Sequence, residues 1–214
     1  MKGNSIRGVL FDLDGTLIDS YQAIYLSFQH AYEKLGLLTP SFEEVKRVVG
    51  YGLRNTFRDL LGEERAPQAL RLFRQKYEEV YRQNTYLLPG AREVLETLDA
   101  RGIKLAVATN KLGRFSRDIF RHYGMDQLFT AIVGDEDVSQ NKPHPEILLY
   151  AVEKMGLAKE EVILVGDSLI DIQTGRNAGL RVFVVPTGVQ TKEELEKARP
   201  TAVLNGLLDL FSYI

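Results

Sequence analysis

The stretch Val9-Leu10-Phe11-Asp12-Leu13-Asp14-Gly15-Thr16-Leu17 is an apolar segment that ends in two aspartates two positions apart. Side chains at i and i+2 of an extended chain point to the same side, so this spacing predicts that Asp12 and Asp14 face one point at a strand end. Two carboxylates held together there need a cation. Gly15 allows the sharp turn by which the chain leaves the strand.

The segment that follows these aspartates reads as helical. From Ser20 to about Gln83 apolar residues recur at helical spacing, without a convincing strand pattern. Ser41 and Glu44 have the spacing of a capping box, which predicts a helix start after Pro40. The predicted helices cover residues 20–35, 41–50, 54–61 and 66–83.

After Pro89 the pattern alternates between helix and strand, which is typical of a mostly parallel sheet covered by helices. The predicted strands cover 104–109, 131–133, 162–165 and 181–185, and the predicted helices 91–100, 114–123, 145–155 and 168–178, with a last helix around 207–211. The fold class is therefore α/β, a Rossmann-like parallel sheet core with an inserted α-helical domain. We expect the core to comprise residues 1–16 and 87–214, and the insert residues 17–86.

Polar residues follow several of the predicted strands. Ligands of open parallel sheets bind beyond the carboxyl ends of the strands, so these residues are expected to meet. They are Asp12 and Asp14, Thr109 and Asn110, Lys142 in the sequence Lys-Pro-His-Pro, and Asp167 with Asp171 one helical turn later. Taken singly, Thr109 or Asn110 reads as a helix cap and Lys142 as a solvated lysine. The occurrence of all these motifs at successive strand ends favours a common site.

These four motifs, and their order along nearly the whole chain, resemble those of the haloacid dehalogenase-like hydrolases, in particular the phosphoglycolate phosphatase-like branch. The resemblance implies a magnesium-dependent phosphatase whose helical insert is a cap domain. It implies that Asp12 attacks phosphorus and carries an aspartyl phosphate, and that Asp14 is the general acid and base. It also implies that Lys142, Thr109 and Asn110 bind the phosphoryl group.

The cofactor implied by the resemblance is Mg²⁺. Its ligands would be Asp12, the backbone carbonyl of Asp14, and Asp167. Asp171 would either ligate the metal directly or hold a bound water or a lysine. Oxygen donors of this kind are those that Mg²⁺ prefers.

The substrate is expected to be selected by the insert. Between its second and third helices lies Gly50-Tyr51-Gly52-Leu53-Arg54, a turn that in similar proteins reaches the substrate and that otherwise reads as an ordinary interhelical turn. Arg54 could bind a small carboxylate, which would suit 2-phosphoglycolate. Pyrophosphatase and β-phosphoglucomutase activities on the same fold remain alternatives.

Other chemistries are less well matched. An acid at Asp14 favours phosphate esters over carbon–halogen cleavage, and no motif supports Lys34 or Lys46 as the imine-forming lysine of a phosphonate hydrolase. A receiver-like signalling protein would carry its phosphorylated aspartate on a later strand. A catalytically silent binding protein is disfavoured because every motif position is occupied.

Composition narrows the partners. The 214 residues carry a formal charge of −2 and no cysteine, so thiol chemistry is excluded and nucleic acid is not indicated as a partner. No apolar run approaches the roughly 20 residues that span a bilayer, and no targeting segment is recognised. We expect a cytoplasmic monomer or homodimer that acts on a small phosphorylated metabolite, without membrane association. The three histidines have no ligand spacing.

Overall fold

The computed structural model describes residues 5–214. A six-stranded parallel sheet is its central element, with strand order β5-β4-β1-β6-β7-β8. Its strands are β1 Gly8–Phe11, β4 Lys104–Ala108, β5 Phe129–Val133, β6 Val162–Gly166, β7 Arg181–Val184 and β8 Ala202–Val203. Strand β1 is buried along its whole length, because its neighbours β4 and β6 flank it and apolar layers cover both faces. The α/β fold class is confirmed.

The helices fall into two groups. The first three follow β1 and end before residue 81, and the other five alternate with the later strands of the main sheet. They are α1 Tyr21–Lys34, α2 Phe42–Arg47, α3 Leu53–Val80, α4 Ala91–Ala100, α5 Gly113–His122, α6 Glu146–Met155, α7 Leu169–Ala178 and α8 Lys192–Lys197. Among residues 5–214, none of these helices has the length and apolar character needed to cross a membrane.

The inserted helices pack on one another through aromatic side chains. Phe28 on α1 stacks on Phe57 with ring centroids 4.8 Å apart and meets Phe73 edge-on at 5.4 Å, both on α3. Farther along α3, Tyr77 lies edge-on to Phe115 of α5 at 4.9 Å. The apolar cluster on this face of the sheet therefore continues without interruption into the helices.

Helix α3 differs from the two helices that the sequence predicts over 54–61 and 66–83. The chain is helical from Leu53 to Val80, but Gly62 interrupts it with φ 77° and ψ 164°. The residue is thus a sharp break between two helical segments, so two helices describe the backbone better than one. The capping box predicted at Ser41 and Glu44 is present, and α2 ends earlier than expected, at Arg47.

Five short elements were not predicted in this form. Strands β2 Ile18–Asp19 and β3 Tyr86–Leu87 pair antiparallel, so the chain entering the helices and the chain leaving them run side by side. Strand β8 pairs with β7 and extends the sheet edge, and helix α8 precedes it in the chain. The predicted C-terminal helix is instead a 3-10 segment, Leu207–Ser212, that buries Leu207 and Leu210.

Candidate active site

The site forms where the three central strands end. Asp12 follows β1, Thr109 follows β4 and Asp167 follows β6, and these three strands are neighbours in the sheet. The Asp12 amide still donates a hydrogen bond to Val165 O of the neighbouring strand, at 2.9 Å. The nucleophile candidate is therefore held at the last hydrogen bond of the sheet. Parallel pairing thereby brings residues more than 150 positions apart to one edge.

Lys142 lies between two carboxylates. Its Nζ is 2.7 Å from Asp12 Oδ1 and 2.7 Å from Asp171 Oδ1. The side chains of Lys142 and Asp171 are each only 2% exposed. A lysine so deeply buried is held by both anions, and it is not the solvated lysine that its sequence context alone would allow.

Three carboxylates converge beside this lysine. One oxygen each of Asp12, Asp167 and Asp171 lie within 4.8 Å of one another. Asp167 Oδ1 accepts a hydrogen bond from Thr16 Oγ1 at 2.9 Å, and Asp171 Oδ2 accepts one from Ser168 Oγ at 2.5 Å. Gly15, at φ 91°, lies so close to Asp167 that a side chain there would collide with its carboxylate. Hard oxygen donors at this spacing fit a divalent cation such as Mg²⁺.

Burial and mutual repulsion shape the protonation of this cluster. Burial raises the pKa of Asp12, Lys142 lowers it and Asp171 raises it again, with a net rise to about 7. Burial, together with the charges of Asp171 and Asp12, raises the pKa of Asp167 well above its usual range. Burial lowers the pKa of Lys142, but Asp12 and Asp171 outweigh that effect and leave it raised. With all three carboxylates ionised, the cluster would carry more negative charge than one lysine can balance, so without a metal it tends to retain protons.

Asp14 has a separate cationic partner. Lys111 Nζ lies 2.8 Å from its Oδ1 and 2.7 Å from its Oδ2, and Ser20 Oγ also donates to Oδ1. The side chains of Lys111 and Asp14 are 8% and 11% exposed. Asp12 and Asp14 therefore line one cavity, as their spacing predicts, but each is held by its own lysine.

Lys111 was missed by the sequence analysis. It directly follows Thr109-Asn110 at the end of β4, and this position was the signal that could have drawn attention to it. Its ammonium also lies 5.0 Å from the ring centroid of Tyr77 on α3. Lys111 thus contacts both the sheet edge and the inserted helices.

Thr109 and Asn110 have different contacts. Thr109 is buried, and its Oγ1 accepts from the Lys111 amide at 3.1 Å. Asn110 Oδ1 accepts from the Lys142 amide at 3.0 Å, while its Nδ2 donates to Gly50 O at 2.7 Å and to Lys142 O at 3.2 Å. The Asn110 amide therefore joins the Lys142 loop to the turn between α2 and α3.

The turn between α2 and α3 is only partly brought to the site. Gly50 lines the cavity that contains Asp12 and Asp14. Arg54 is exposed and lines a neighbouring groove instead, so the structure does not bring it to the cavity that contains Asp12 and Asp14. The guanidinium-bearing residue that lines this cavity is Arg74 of α3, among residues 5–214.

Comparison with protein families gives the identity of this fold and motif set. The model of the haloacid dehalogenase-like hydrolase family matches residues 9–185. The chain belongs to the haloacid dehalogenase-like hydrolase family. The match begins at the strand that carries Asp12 and ends one residue after β7, so this member of the family contains the whole candidate site within the matched segment.

Individual relatives of this haloacid dehalogenase-like hydrolase are phosphatases. It is 31% identical to a phosphoglycolate phosphatase of Shigella boydii, over 98% of this chain and 92% of that protein. It is 32% identical to the pyrophosphatase PpaX of Halalkalibacterium halodurans, over 98% of this chain and 97% of that protein. These relatives confirm the predicted enzyme class, a phosphatase.

Solved structures agree with the fold. A crystal structure described as a predicted phosphoglycolate phosphatase from Haemophilus somnus superposes with a TM-score of 0.86 at 28% identity, covering 97% of each chain. One described as a predicted phosphatase from Clostridium acetobutylicum gives a TM-score of 0.89 at 28% identity, covering 98% of each.

Proposed function

We propose that this chain is a Mg²⁺-dependent phosphatase that hydrolyses 2-phosphoglycolate to glycolate and phosphate through an aspartyl phosphate on Asp12. The observation that carries the proposal is the partly buried Asp12 carboxylate beside Lys142 at the end of β1, with Asp14 lining the same cavity. A nucleophile, a cation for the phosphoryl oxygens and a second carboxylate for proton transfer are then within one site.

In the first step one Asp12 oxygen attacks phosphorus and the bond from phosphorus to the ester oxygen breaks. Lys142 binds Asp12 Oδ1, which leaves Oδ2 for the attack. Lys142 and the buried Thr109 would then bind the oxygens of the transferred group, with Asn110 holding the Lys142 loop through its backbone. Phosphoryl transfer depends mainly on such positioning and charge neutralisation.

Asp14 would supply the proton to the leaving oxygen and later take one from the water that hydrolyses the aspartyl phosphate. Both steps require its carboxylate to be oriented toward the phosphorus. Lys111 and Ser20 bind that carboxylate and would set its orientation. The salt bridge needs the ionised carboxylate, so Asp14 must first take up a proton from solvent on Oδ2 before it can donate one to the leaving oxygen. Lys111 and Ser20 would keep hold of Oδ1 and so preserve the orientation.

Mg²⁺ would be held by Asp12 and Asp167, by the backbone carbonyl of Asp14, and by Asp171 directly or through water. The fit rests on the convergence of three carboxylates and on the mutual repulsion that their ionised forms would have without a cation. Asp171 already accepts from Lys142 and Ser168, which favours the indirect arrangement. When bound, the metal would neutralise the anionic phosphoryl group and Asp12 together.

We further propose that residues 17–86 form a cap domain over a core of residues 1–16 and 87–214. The paired strands β2 and β3 would be the hinge, because the chain enters the cap through β2 and leaves it through β3. The cap would exclude water from the reacting phosphorus. Its apolar side chains Phe28 and Phe73 line the cavity.

The substrate assignment rests on the phosphoglycolate phosphatase relatives. Pyrophosphate is the second candidate, because the pyrophosphatase PpaX of H. halodurans matches the same share of this chain as the phosphoglycolate phosphatase does. Both candidates are small free metabolites. The formal charge of −2 on the protein gives no indication of a nucleic-acid partner. We propose that the enzyme acts in the cytoplasm.

The test is phosphate release from 2-phosphoglycolate, pyrophosphate, β-glucose 1-phosphate and p-nitrophenyl phosphate, with Mg²⁺ and with chelator. We expect magnesium-dependent hydrolysis that is fastest with 2-phosphoglycolate. A faster rate with pyrophosphate would retain the mechanism and replace the substrate. Interconversion of glucose phosphates without phosphate release would identify a mutase, and no turnover of any ester would overturn the proposal.

A further inference from the structure

Arg74 of α3 is the unpaired cation of the catalytic cavity. Within residues 5–214, three cationic side chains line this cavity: Lys111, Lys142 and Arg74. Lys111 is paired with Asp14, and Lys142 with Asp12 and Asp171. Arg74 has no salt bridge to the described residues, and its Nε is buried without a hydrogen-bond partner.

The acidic groups near Arg74 are already engaged. Glu136 accepts from the amides of Gly113 and Arg114, at 2.7 and 3.0 Å, and Asp135 accepts from Asn141. Burial lowers the pKa of Arg74, Asp135 opposes this, and Arg54 adds to it, so the guanidinium lies in an environment that disfavours its charge. An anion bound there would relieve that cost.

The rest of the cavity wall is largely apolar. Ile24, Phe28, Val49, Leu53, Phe73 and Phe115 contribute to it. Among such side chains water competes poorly for the N–H donors of the guanidinium, so they are free to bind a ligand. The planar guanidinium also matches the two oxygens of a carboxylate or phosphate. Arg74 also lines the groove that adjoins the cavity, so it lies where the two meet.

We propose that Arg74 is the specificity-determining residue of this site, and that it binds an oxyanion carried by the leaving group of the phosphate substrate. The inference rests on the proposed phosphatase function and replaces Arg54, which faces a different groove. It restricts the substrate class to phosphate compounds whose leaving group is itself anionic. A carboxylate and a second phosphate share this chemistry.

The experiment compares kcat/KM for three substrates: 2-phosphoglycolate, pyrophosphate and ethyl phosphate, which lacks the second anion. Arg74→Gln is expected to lower kcat/KM about 10- to 100-fold on the oxyanion-bearing substrate that the enzyme prefers, as expected for a lost charge-assisted hydrogen bond, and less than about threefold on ethyl phosphate. Arg74→Lys should lose less than Arg74→Gln because the charge remains. If kcat/KM falls most with 2-phosphoglycolate, the oxyanion that Arg74 binds is a carboxylate. If it falls most with pyrophosphate, the oxyanion is a second phosphate.

The matched control is Arg71→Gln, one turn earlier on α3, where the side chain is exposed and lines neither cavity. It should change none of the three values more than about twofold, since exposed charges contribute little. An equal loss on all three substrates in Arg74→Gln, or a wild-type enzyme that hydrolyses ethyl phosphate as well as the others, would overturn the inference while leaving the phosphatase intact. Should Arg74→Gln fail to fold, the same comparison is made with Arg74→Lys. Failure of the wild type on every substrate would instead overturn the proposed function and with it this inference.

Discussion

Lys111 binds both carboxylate oxygens of Asp14, at 2.8 and 2.7 Å, although 96 residues separate them along the chain and both are largely buried. The pair joins the loop after β4 to the turn after β1. Because Lys111 also lies against Tyr77, the ion pair is placed where the inserted helices meet the sheet. The orientation of the proposed acid and base thus depends on a residue outside the first motif.

Lys111→Met is expected to lower kcat about 100-fold, since general acid–base catalysis contributes about 10²–10⁴ and depends on orientation. Removing one partner of a buried pair should also lower the free energy of unfolding by about 3–5 kcal/mol. Steady-state kinetics and urea unfolding measure the two effects. The double variant K111M/D14N should regain part of the stability but no activity, and an active, fully stable Lys111→Met would refute the relationship.

Asp12→Asn should reduce turnover by about 10³-fold or more, because an amide is a poor nucleophile toward phosphorus. The fold should persist, since the amide can still accept from Lys142. Phosphate release and circular dichroism are the measurements, with the exposed Asp99→Asn on α4 as control. Near-normal turnover would remove Asp12 from the role of nucleophile.

The buried carboxylates predict how the metal-free protein responds to pH. The pKa of Asp12 is raised to about 7 and that of Asp167 is also raised, so the folded state retains protons that the unfolded state has released above about pH 4. Between about pH 4 and pH 7 the folded state therefore binds more protons than the unfolded state does. The free energy of unfolding consequently falls as the pH rises through that range. Added Mg²⁺ should therefore stabilise the protein more at pH 8 than at pH 5.

Asp167→Asn tests this electrostatic account. It removes one repelling charge and retains the oxygen that accepts from Thr16. In chelator at pH 8 its Tm should exceed that of the wild type by about 3 °C or more, the shift that about 1 kcal/mol produces in a chain of this size. The difference should disappear near pH 4, and Mg²⁺ should stabilise the variant less. A lower Tm than the wild type at pH 8 would contradict the prediction.

Gly62 should be intolerant of a side chain for reasons of backbone conformation alone. A Cβ there would meet nothing within 4 Å, but φ is 77°, where L-residues are strained. Gly62→Ala should lower the free energy of unfolding by about 1 kcal/mol or more. Gly206, equally open but at φ −170°, is the matched control and should tolerate alanine. Equal effects in chemical denaturation would show that the break in α3 is absent in solution.

Most of the sheet could be predicted because its strands are short apolar runs between clear helix signals. Helix α4 was predicted to the residue, 91–100, and β4 to within one. Strands β2, β3 and β8 could not be predicted, because two-residue strands carry no periodicity. The C-terminal apolar cluster gave a helical spacing, but its six residues adopt a 3-10 turn.

The candidate residues Asp12, Asp14, Thr109 and Asp167 were predicted from the sequence because each follows an apolar strand, and parallel strands deliver their ends to one edge. Lys142 was predicted in the loop that follows another of these strands. The rule that parallel strands end at one edge of the sheet can be applied to the order of strands along the chain, without knowledge of the tertiary structure. The family, and with it the enzyme class, follows from the same motifs.

Tertiary structure alone decided which cation binds which carboxylate and which arginine lines the cavity. The sequence singled out Arg54 because it belongs to the turn that was expected to reach the substrate. In the structure α3 leaves Arg54 exposed and places Arg74 in the wall of the cavity. Side-chain pairing depends on distances of a few ångströms between elements far apart in the chain. Local propensity and periodicity determine elements, but packing of those elements determines such distances.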